Sequence, residues 1–273
     1  FLLCLQKIPA MAPVEQKKKN PLFEFAYLGR VDILLQNLKE LAMPEKWDYT
    51  NTPNPKPHPI LFNYLVHTFT RLKEEGKILK VNNYACINTG LVTPNQEEIF
   101  MLFKERPNSE ELFFVAFCKE SSVEMARFCP LPLRATYFND ISDLFYDSKL
   151  ELRINIDHII DDYNNFNRFP DHIRPLPKLQ LMNTFNGAIE HAKKRIKRNY
   201  KTAIPQYYRG QFYPEGQLQL LIPLCLTEAT KADLALAIFK SGNSYSGRTC
   251  LTLDMAMNNA RLIARPDDDW LNP

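Results

Sequence analysis

The chain has 273 residues, of which 45% are hydrophobic and 24% charged, a balance that excludes a disordered, collagen-like or coiled-coil protein. Because 34 Lys and Arg residues oppose 31 Asp and Glu residues, the net charge is only +3, which by itself predicts neither a nucleic-acid-binding nor an acidic protein. The chain has only 8 glycines and contains no G-x-G-x-x-G or Walker A motif, so Rossmann and P-loop phosphate binding are disfavoured.

The start of the chain and its cysteines bear on the compartment. We expect residues 1–21 to be a leader that is disordered or vector-derived, since the apolar start Phe1–Leu5 lacks the basic segment that precedes a signal-peptide core. Six scattered cysteines, mostly within apolar stretches, predict buried free thiols in a reducing cytoplasm. No apolar run approaches the roughly 20 residues of a membrane span, so no membrane partner is expected. The sequence identifies no metal site and no cofactor, and it leaves the oligomeric state open.

Residues 22–106 are predicted to form a helical part that ends in a hairpin. Hydrophobic spacing predicts helices over residues 25–42 and 59–75, the second with a proline in its first turn and a glycine just after its end. Asn82–Asn83 separates two short apolar runs, which indicates a β-hairpin over residues 77–87. The order helix, helix, hairpin is that of a winged helix, but it is also the order of many α/β modules, and both alternatives remain open.

Residues 107–273 are predicted to form an α+β body that contains a basic helix and a C-terminal β-meander. Strands are expected at residues 112–118, 133–138, 150–156, 218–226, 234–240 and 248–253, and a long helix at residues 179–200. The short connection between the last two strands is typical of a hairpin rather than a crossover, so the sheet should be mixed and partly antiparallel. The fold class expected for the whole chain is therefore α+β, with a mixed sheet flanked by helices.

Positive charge is concentrated between His191 and Arg209, where seven Lys and Arg residues occur without any Asp or Glu, leaving −4 for the rest of the chain. Helical spacing places an apolar stripe on one side of this segment and the cations on the other. Together with the tyrosines that follow, this composition is typical of surfaces that pair phosphates with cations and stack bases on aromatic rings. The alternative is a solvated basic face. The predicted contact residues are Lys193, Lys194, Lys197, Arg198, Lys201, Tyr207, Tyr208 and Arg209.

A second candidate group lies within residues 248–270. If the stretch after Leu253 is helical, a carboxylate, an amide and two guanidinium groups share one face of that helix. If residues 261–265 instead form a strand, the two arginines still lie on the same side of it. Forked arginine donors held by a carboxylate suit an anionic ligand. The alternative is a solvated helix face with internal ion pairs. The residues of this predicted pocket are Arg248, Asp254, Asn258, Arg261 and Arg265.

Two residues are candidates for proton transfer, should the protein be an enzyme. His191 lies beside the basic cluster, and Asp254 lies in the predicted pocket. His191 is explained more readily as a further polar residue of the helix.

Three segments carry a resemblance to a known family. Residues 201–208, 218–225 and 247–266 resemble the family catalogued as domain of unknown function 3825, and the likeness extends over about residues 25–271. A tyrosine is expected in the family where this chain has Met257, which removes one hydroxyl or stacking group. The family name implies no activity. The resemblance implies an intracellular protein of a kind sometimes joined to RNA-associated modules such as cold-shock or LOTUS-type winged helices.

The predicted function is binding or processing of nucleic acid, with RNA favoured, through the basic helix and the Arg/Asp/Asn pocket. The alternative is a phosphate-handling hydrolase or transferase that acts on a nucleotide or on a nucleic-acid end. A third interpretation is a protein-interaction scaffold in which both segments carry peripheral charges. The sequence does not decide whether the protein is catalytic.

Overall fold

The computed structural model describes residues 20–210, 213–266 and 269–271, so the expected leader lies almost wholly outside the described residues. Two five-stranded mixed sheets, each flanked by helices, confirm the predicted α+β class. The helices are α1 (Pro21–Phe25), α2 (Val31–Leu41), α3 (Pro59–Glu74), α4 (Ile156–Asp161), α5 (Tyr163–Phe166), α6 (Lys178–Arg198) and α7 (Leu253–Ala260). The strands are β1 (Ala26–Tyr27), β2 (Leu79–Val81), β3 (Tyr84–Val92), β4 (Glu98–Glu105), β5 (Leu112–Lys119), β6 (Glu151–Ile154), β7 (Ile204–Gly210), β8 (Tyr213–Leu224), β9 (Leu234–Ser241) and β10 (Ser244–Leu251).

The first sheet has the strand order β1-β5-β4-β3-β2, in which β1 runs parallel to β5 and the other pairs are antiparallel. Strand β4 is buried on both faces. Ile99, Met101 and Phe103 join the core beneath the N-terminal helices, whereas Phe100 and Leu102 pack on the opposite side against the segment that follows β5. Because successive strand residues point to opposite faces, one apolar run supplies two core layers.

Helix α3 forms as its hydrophobic spacing predicts, and it covers one face of the first sheet. Its buried stripe includes Leu61, Leu65 and Phe69, and Gly76 follows the helix with a φ of +65°. The hairpin is also confirmed, since Asn82 takes a φ of +53° in the turn between β2 and β3. The first predicted helix starts six residues late, at Val31, because the chain pairs with β5 at β1 and then turns through Gly29, whose φ is +66°.

The boundary predicted between residues 106 and 107 falls inside the first sheet. Strand β5 lies beyond that boundary and pairs with β4, placing Leu112 opposite Glu105. The first sheet therefore extends to Lys119, and the predicted hairpin is two strands of a five-stranded sheet rather than a separate wing.

The second sheet has the order β6-β10-β9-β8-β7, with β6 parallel to β10 and the remaining pairs antiparallel. Its two faces are covered by different helices. Leu220 and Ile222 face the buried stripe of α6, whereas Leu221 and Ala235 face α7 and the C-terminal residues. This sheet therefore separates α6 from α7.

Several parts of the fold differ from the predicted elements. Strands β1, β4 and β7 are not among the predicted strands, and residues 133–138, predicted as a strand, do not form one. In that segment the main chain bonds to side chains instead of to a neighbouring strand: the Thr136 N–H donates to Glu75 and the Thr136 carbonyl accepts from Arg71. The backbone of this segment is therefore satisfied in part by side chains, without pairing to a strand.

None of the helices in the described ranges combines the length and the hydrophobicity that a membrane span requires.

Candidate functional site

The basic residues of α6 lie on its solvent side, opposite the apolar stripe that the sequence predicts. Ala192 and Ile196 are buried against the second sheet, while Lys194, Lys197 and Arg198 are exposed. Lys193 differs, because its side chain is half-buried and its Nζ lies 2.6 Å from Glu190 Oε1. The exposed cations are therefore concentrated toward the C-terminal end of the helix.

Lys201 lies in a short 3-10 turn that follows α6 and is held from two sides. The Asn199 side chain accepts the Lys201 N–H at 3.1 Å. Trp270 Nε1 donates to the Thr202 carbonyl at 2.9 Å, which ties the turn to the C-terminal residues. Thr202 is buried and Lys201 is exposed, so the turn has a fixed backbone and presents its cation to solvent.

A cavity of about 390 Å³ joins this turn to the chain that follows α7. We call it the edge cavity, because its wall includes Ile204 at the start of the outermost strand β7. Lys201 comes from one predicted segment and Arg265 from the other, and both are exposed. The two predicted segments, residues 191–209 and 248–270, therefore meet at this cavity. The sequence of neither segment indicates that they are neighbours in the fold.

Two aromatic rings stand at the edge cavity. Phe145 and Tyr200 contact each other edge to face with their centroids 5.7 Å apart. They are 43% and 58% exposed, respectively, although large apolar side chains of this fold are mostly buried. Exposed rings beside cations are the groups that a nucleic-acid base and its phosphate require. Sequence reasoning missed Phe145, because only the fold brings residues 144 and 145 to the end of α6.

Tyr207 and Arg209 belong to the fold rather than to an open surface. Tyr207 is 8% exposed, and its hydroxyl donates to the Glu215 carbonyl at 2.5 Å. Arg209 is ion-paired with Glu74 of α3. The stacking role predicted for Tyr207 is therefore wrong, since its ring is packed in the core beside Tyr137.

Tyr208, in contrast, is partly exposed and contacts Tyr213 across the β7–β8 hairpin.

The predicted polar face forms for Asp254 and Asn258 of α7 and for Arg261 directly after it, whereas Arg265 lies beyond the helix at the edge cavity. The N-terminal half of the chain covers this face. The Asp254 carboxylate accepts the backbone N–H groups of Thr50 at 2.9 Å and Asn51 at 3.0 Å. Asn258 Oδ1 accepts from Asn63 of α3 at 3.0 Å. Asp254 and Asn258 therefore connect the two halves of the fold. Because Asp254 is only 3% exposed, it does not line an open pocket.

Arg261 is the most enclosed member of this group. Its Nε and Nη2 atoms donate to the two oxygens of Glu45 at 2.5 and 2.9 Å, and its guanidinium lies over the rings of Trp47 and Tyr64, 5.1 and 4.7 Å from their centroids. Burial is the largest single influence and opposes the charge of the guanidinium, but the hydrogen bond to Glu45 and the interactions with the Tyr64 hydroxyl and the Glu45 charge together outweigh it and raise the pKa of Arg261 above its ordinary value. A phosphate could reach Arg261 only by displacing Glu45.

The remaining predicted residues do not join the edge cavity. Arg248 is exposed on β10, which two strands separate from β7. His191 is half-buried on α6 and Asp254 lies on α7, so the sheet between these helices holds the two candidate proton-transfer groups on opposite faces. They cannot act on one substrate atom as an acid–base pair.

A chain of amides, not foreseen from the sequence, links α7 to the second sheet. Asn259 donates to Gln206 at 3.1 Å, Gln206 donates to Gln219 at 2.7 Å, and Gln219 donates to Gln217 at 3.0 Å. Gln206 is buried, and the chain ends at half-buried Gln217. Buried amides arranged in this way fix one another's orientation.

No group of three or more His, Cys, Asp or Glu side chains is placed to hold a metal ion within the part of the chain that the structure describes.

The family comparison agrees with the resemblance noted in the sequence. A family model described as Domain of unknown function (DUF3825) matches residues 38–270. The chain belongs to the DUF3825 family. No curated protein and no solved structure matches it. In this DUF3825 chain the matched range contains both sheets except β1, and all residues named around the edge cavity.

Proposed function

We propose that this DUF3825 protein binds single-stranded nucleic acid, and RNA in particular, at the edge cavity and the adjoining end of α6. The observation that carries the proposal is the meeting of Lys201, Arg265 and the exposed pair Phe145–Tyr200 around one cavity. Phosphates are bound by cations and bases by aromatic faces, so this combination fits a nucleotide better than it fits a simple anion.

The charge around the cavity supports an extended ligand rather than a single phosphate. Lys197 and Arg198 are exposed in the last turn of α6, one turn of chain before Lys201. Neither Lys201 nor Arg265 makes an ion pair with a described side chain, unlike Arg261 and Lys193. Cations without a protein counter-ion are the ones that can release bound counter-ions by taking up phosphates.

A single strand is favoured over a duplex because the two rings must reach an unstacked base. In a duplex the bases are stacked on their neighbours, whereas loops and single strands offer their faces to aromatic side chains. RNA is favoured over DNA by the RNA-associated modules that the family resemblance implies.

The direct test is fluorescence anisotropy with single-stranded RNA of about 12 nucleotides, a length within the usual span of such sites. If Lys197, Arg198, Lys201 and Arg265 each neutralise one phosphate, the log–log slope of affinity against salt should be about −3. Affinity should then fall about 50-fold between about 50 and about 200 mM salt.

The variant Lys201→Glu/Arg265→Glu should abolish measurable binding. A matched control, Lys56→Glu/Lys231→Glu, reverses two charges at exposed lysines that do not line the cavity and should lower affinity only slightly. Equal losses in both variants would refute the edge cavity as the site. DNA of the same sequence should bind more weakly, and equal binding of DNA would overturn the preference for RNA.

A further inference from the structure

One row of neighbouring residues crosses all five strands of the first sheet. Tyr84 of β3 lies opposite Lys104 of β4, which in turn lies opposite Phe113 of β5. Val81 of β2 lies opposite Tyr84, and Tyr27 of β1 lies opposite Phe113. Residues that lie opposite each other on neighbouring strands point to the same side of a sheet. We call this set the cross-sheet row: Val81, Tyr84, Lys104, Phe113 and Tyr27.

The cross-sheet row lies on the face of the first sheet that points away from α3. Tyr84 packs against the core cluster on that face. Ala26 and Leu112 face the α3 side, so Tyr27 and Phe113, which follow them in the chain, point the other way. The chain after α7, which forms part of the edge cavity, packs on the α3 side. The row and the edge cavity therefore lie on different sides of the first sheet and share no residue.

Aromatic rings and cations alternate along the row. Tyr27 is 64% exposed, and Tyr84, Lys104 and Phe113 are half-buried. Lys104 Nζ lies 5.3 Å from the centroid of the Tyr84 ring, and Arg106 Cζ lies 5.3 Å from the centroid of the Tyr27 ring. Because neighbouring strands are about 4.8 Å apart, Tyr84 and Phe113 stand about 10 Å apart with Lys104 between them. The row therefore has a ring on each side of a cation.

Arg127 adds a second cation beside Tyr84. It ends the 3-10 turn Val123–Arg127, is exposed, and has its Cζ 4.1 Å from the centroid of the Tyr84 ring. A guanidinium plane can stack on a base as an aromatic ring does, and its N–H groups donate to phosphate oxygens. Arg127 therefore offers contacts to both parts of a nucleotide.

Little negative charge opposes these cations. Among the described side chains, neither Lys104 nor Arg127 has an acidic partner within ion-pair distance. Arg106 lies 3.5 Å from Glu111, but their side chains are 46% and 73% exposed, and an exposed pair of this kind is weak in water. Unpaired positive charge beside exposed rings complements a ligand that carries phosphates and flat bases.

We propose that the cross-sheet row, together with Arg106 and Arg127, is a second contact surface for single-stranded RNA. This inference rests on the proposed function, because the edge cavity holds the strand first and the row then binds a more distant stretch of it. With two unpaired cations the row does not hold a short strand alone. Once the strand is bound elsewhere on the same protein, the high effective concentration makes even a weak second contact count.

The length of the strand decides whether both surfaces are reached. At about 3.4 Å or more per nucleotide, a strand of about 40 nucleotides spans over 100 Å, whereas the radius of gyration of a 273-residue domain is about 19 Å. A strand of about 12 nucleotides spans about 40 Å at the same rise, which does not suffice to fill the edge cavity and also pass around the first sheet. Only the longer strand should therefore use the row.

The test measures the affinity of RNA strands of about 12 and about 40 nucleotides by anisotropy over a range of salt concentrations. In wild type, Lys104 and Arg127 should add about two phosphate contacts, which steepens the log–log slope from about −3 for the short strand to about −4 for the long strand. The larger number of binding positions on the long strand raises its affinity but leaves this slope unchanged.

Two charge variants locate the added contacts. Lys104→Gln/Arg127→Gln should return the slope of the long strand to about −3 and leave binding of the short strand unchanged. The matched control, Lys56→Gln/Lys231→Gln, removes two exposed lysines outside both surfaces and should keep the slope near about −4.

The rings are tested separately from the charges. Tyr27→Ala should weaken binding of the long strand about fivefold or more through the loss of one stacked base, without a change in slope. Tyr27→Phe keeps the ring and should bind as wild type does. Tyr163→Ala removes a ring that is 76% exposed on α5 and should leave the affinity unchanged.

The possible outcomes separate this inference from the proposed function. If the long strand shows the slope of the short strand in wild type, or if Lys104→Gln/Arg127→Gln keeps the steeper slope, the second surface is refuted while binding at the edge cavity stands. If these substitutions lower Tm but alter neither slope nor affinity, the row only stabilises the sheet and the inference is refuted as well. If neither strand binds to wild type, the proposed function fails and the inference fails with it.

Discussion

Replacing Arg261 by alanine should destabilise the protein severely rather than weaken binding of a ligand. The guanidinium forms two hydrogen bonds to Glu45 and lies over the rings of Trp47 and Tyr64, and the two charged side chains are 10% and 11% exposed. The truncation leaves the Glu45 carboxylate buried without its counter-ion, and removes the cation from two aromatic faces.

The expected cost follows from this geometry. Removing one partner of a buried ion pair costs about 3–5 kcal/mol, because the remaining charge keeps its desolvation penalty. In a chain of about this size each kcal/mol lowers Tm by about 2–4 °C, so the variant should melt about 6–20 °C below wild type. Arg265→Ala removes an exposed arginine from the same segment and should stay within about 0.5 kcal/mol of wild type.

Thermal unfolding followed by circular dichroism measures both variants. A further variant, Arg261→Met/Glu45→Met, removes both charges and should be more stable than Arg261→Ala, since no uncompensated charge remains buried. A Tm of Arg261→Ala within about 2 °C of wild type would refute the role of this ion pair in joining the two halves. Loss of RNA binding at unchanged Tm would instead restore Arg261 as a ligand-binding residue.

Two further predictions test neighbouring parts of the same interpretation. Asp254→Asn should lower the free energy of unfolding, measured by chemical denaturation, by about 1–3 kcal/mol, because one carbonyl oxygen replaces the two acceptors of the carboxylate. The backbone amide hydrogens of Thr50 and Asn51 should also exchange faster with solvent, and unchanged exchange would contradict this role of Asp254. Alkylation at pH 8 with peptide-level mass spectrometry should label exposed Cys129 well before Cys86. Cys86 should stay unlabelled until denaturation, since burial, with a smaller effect of Cys118, raises the pKa of Cys86 to about 12.

Periodicity made the local features of this fold predictable. The buried stripes of α3 and α6 follow from helical spacing alone, and so does the common face of Asp254, Asn258 and Arg261, the residue directly after α7. Arg265 does not share this face, because the helix ends before it. The missed strand β4 is buried on both faces, so it shows no alternation that would reveal it. Strand β7 is not predicted, because its tyrosines and arginine have the composition of a binding surface as well as that of a strand.

Helical spacing does not predict which part of the chain covers a polar helix face. The hydrogen bonds of Asp254 and Arg261 join residues separated by 203 to 216 positions along the chain. A local pattern shows that a carboxylate and a guanidinium lie side by side, but only the tertiary fold decides whether their partner is a ligand or a distant loop. The same limit explains why Phe145 could not be assigned to the site.

The predicted cations divide into those that form an ion pair with an acidic side chain of the protein and those that do not. Arg261, Arg209 and Lys193 each have an acidic side chain from the fold within ion-pair distance. Among the predicted contact residues, six other cations make no ion pair with a described side chain: Lys194, Lys197, Arg198, Lys201, Arg248 and Arg265. Four of them, Lys197, Arg198, Lys201 and Arg265, lie in the last turn of α6 and around the edge cavity, where unpaired positive charge is therefore concentrated. Binding that depended equally on the paired and unpaired cations would contradict this criterion, because a paired cation must lose its protein partner before it can take up a phosphate.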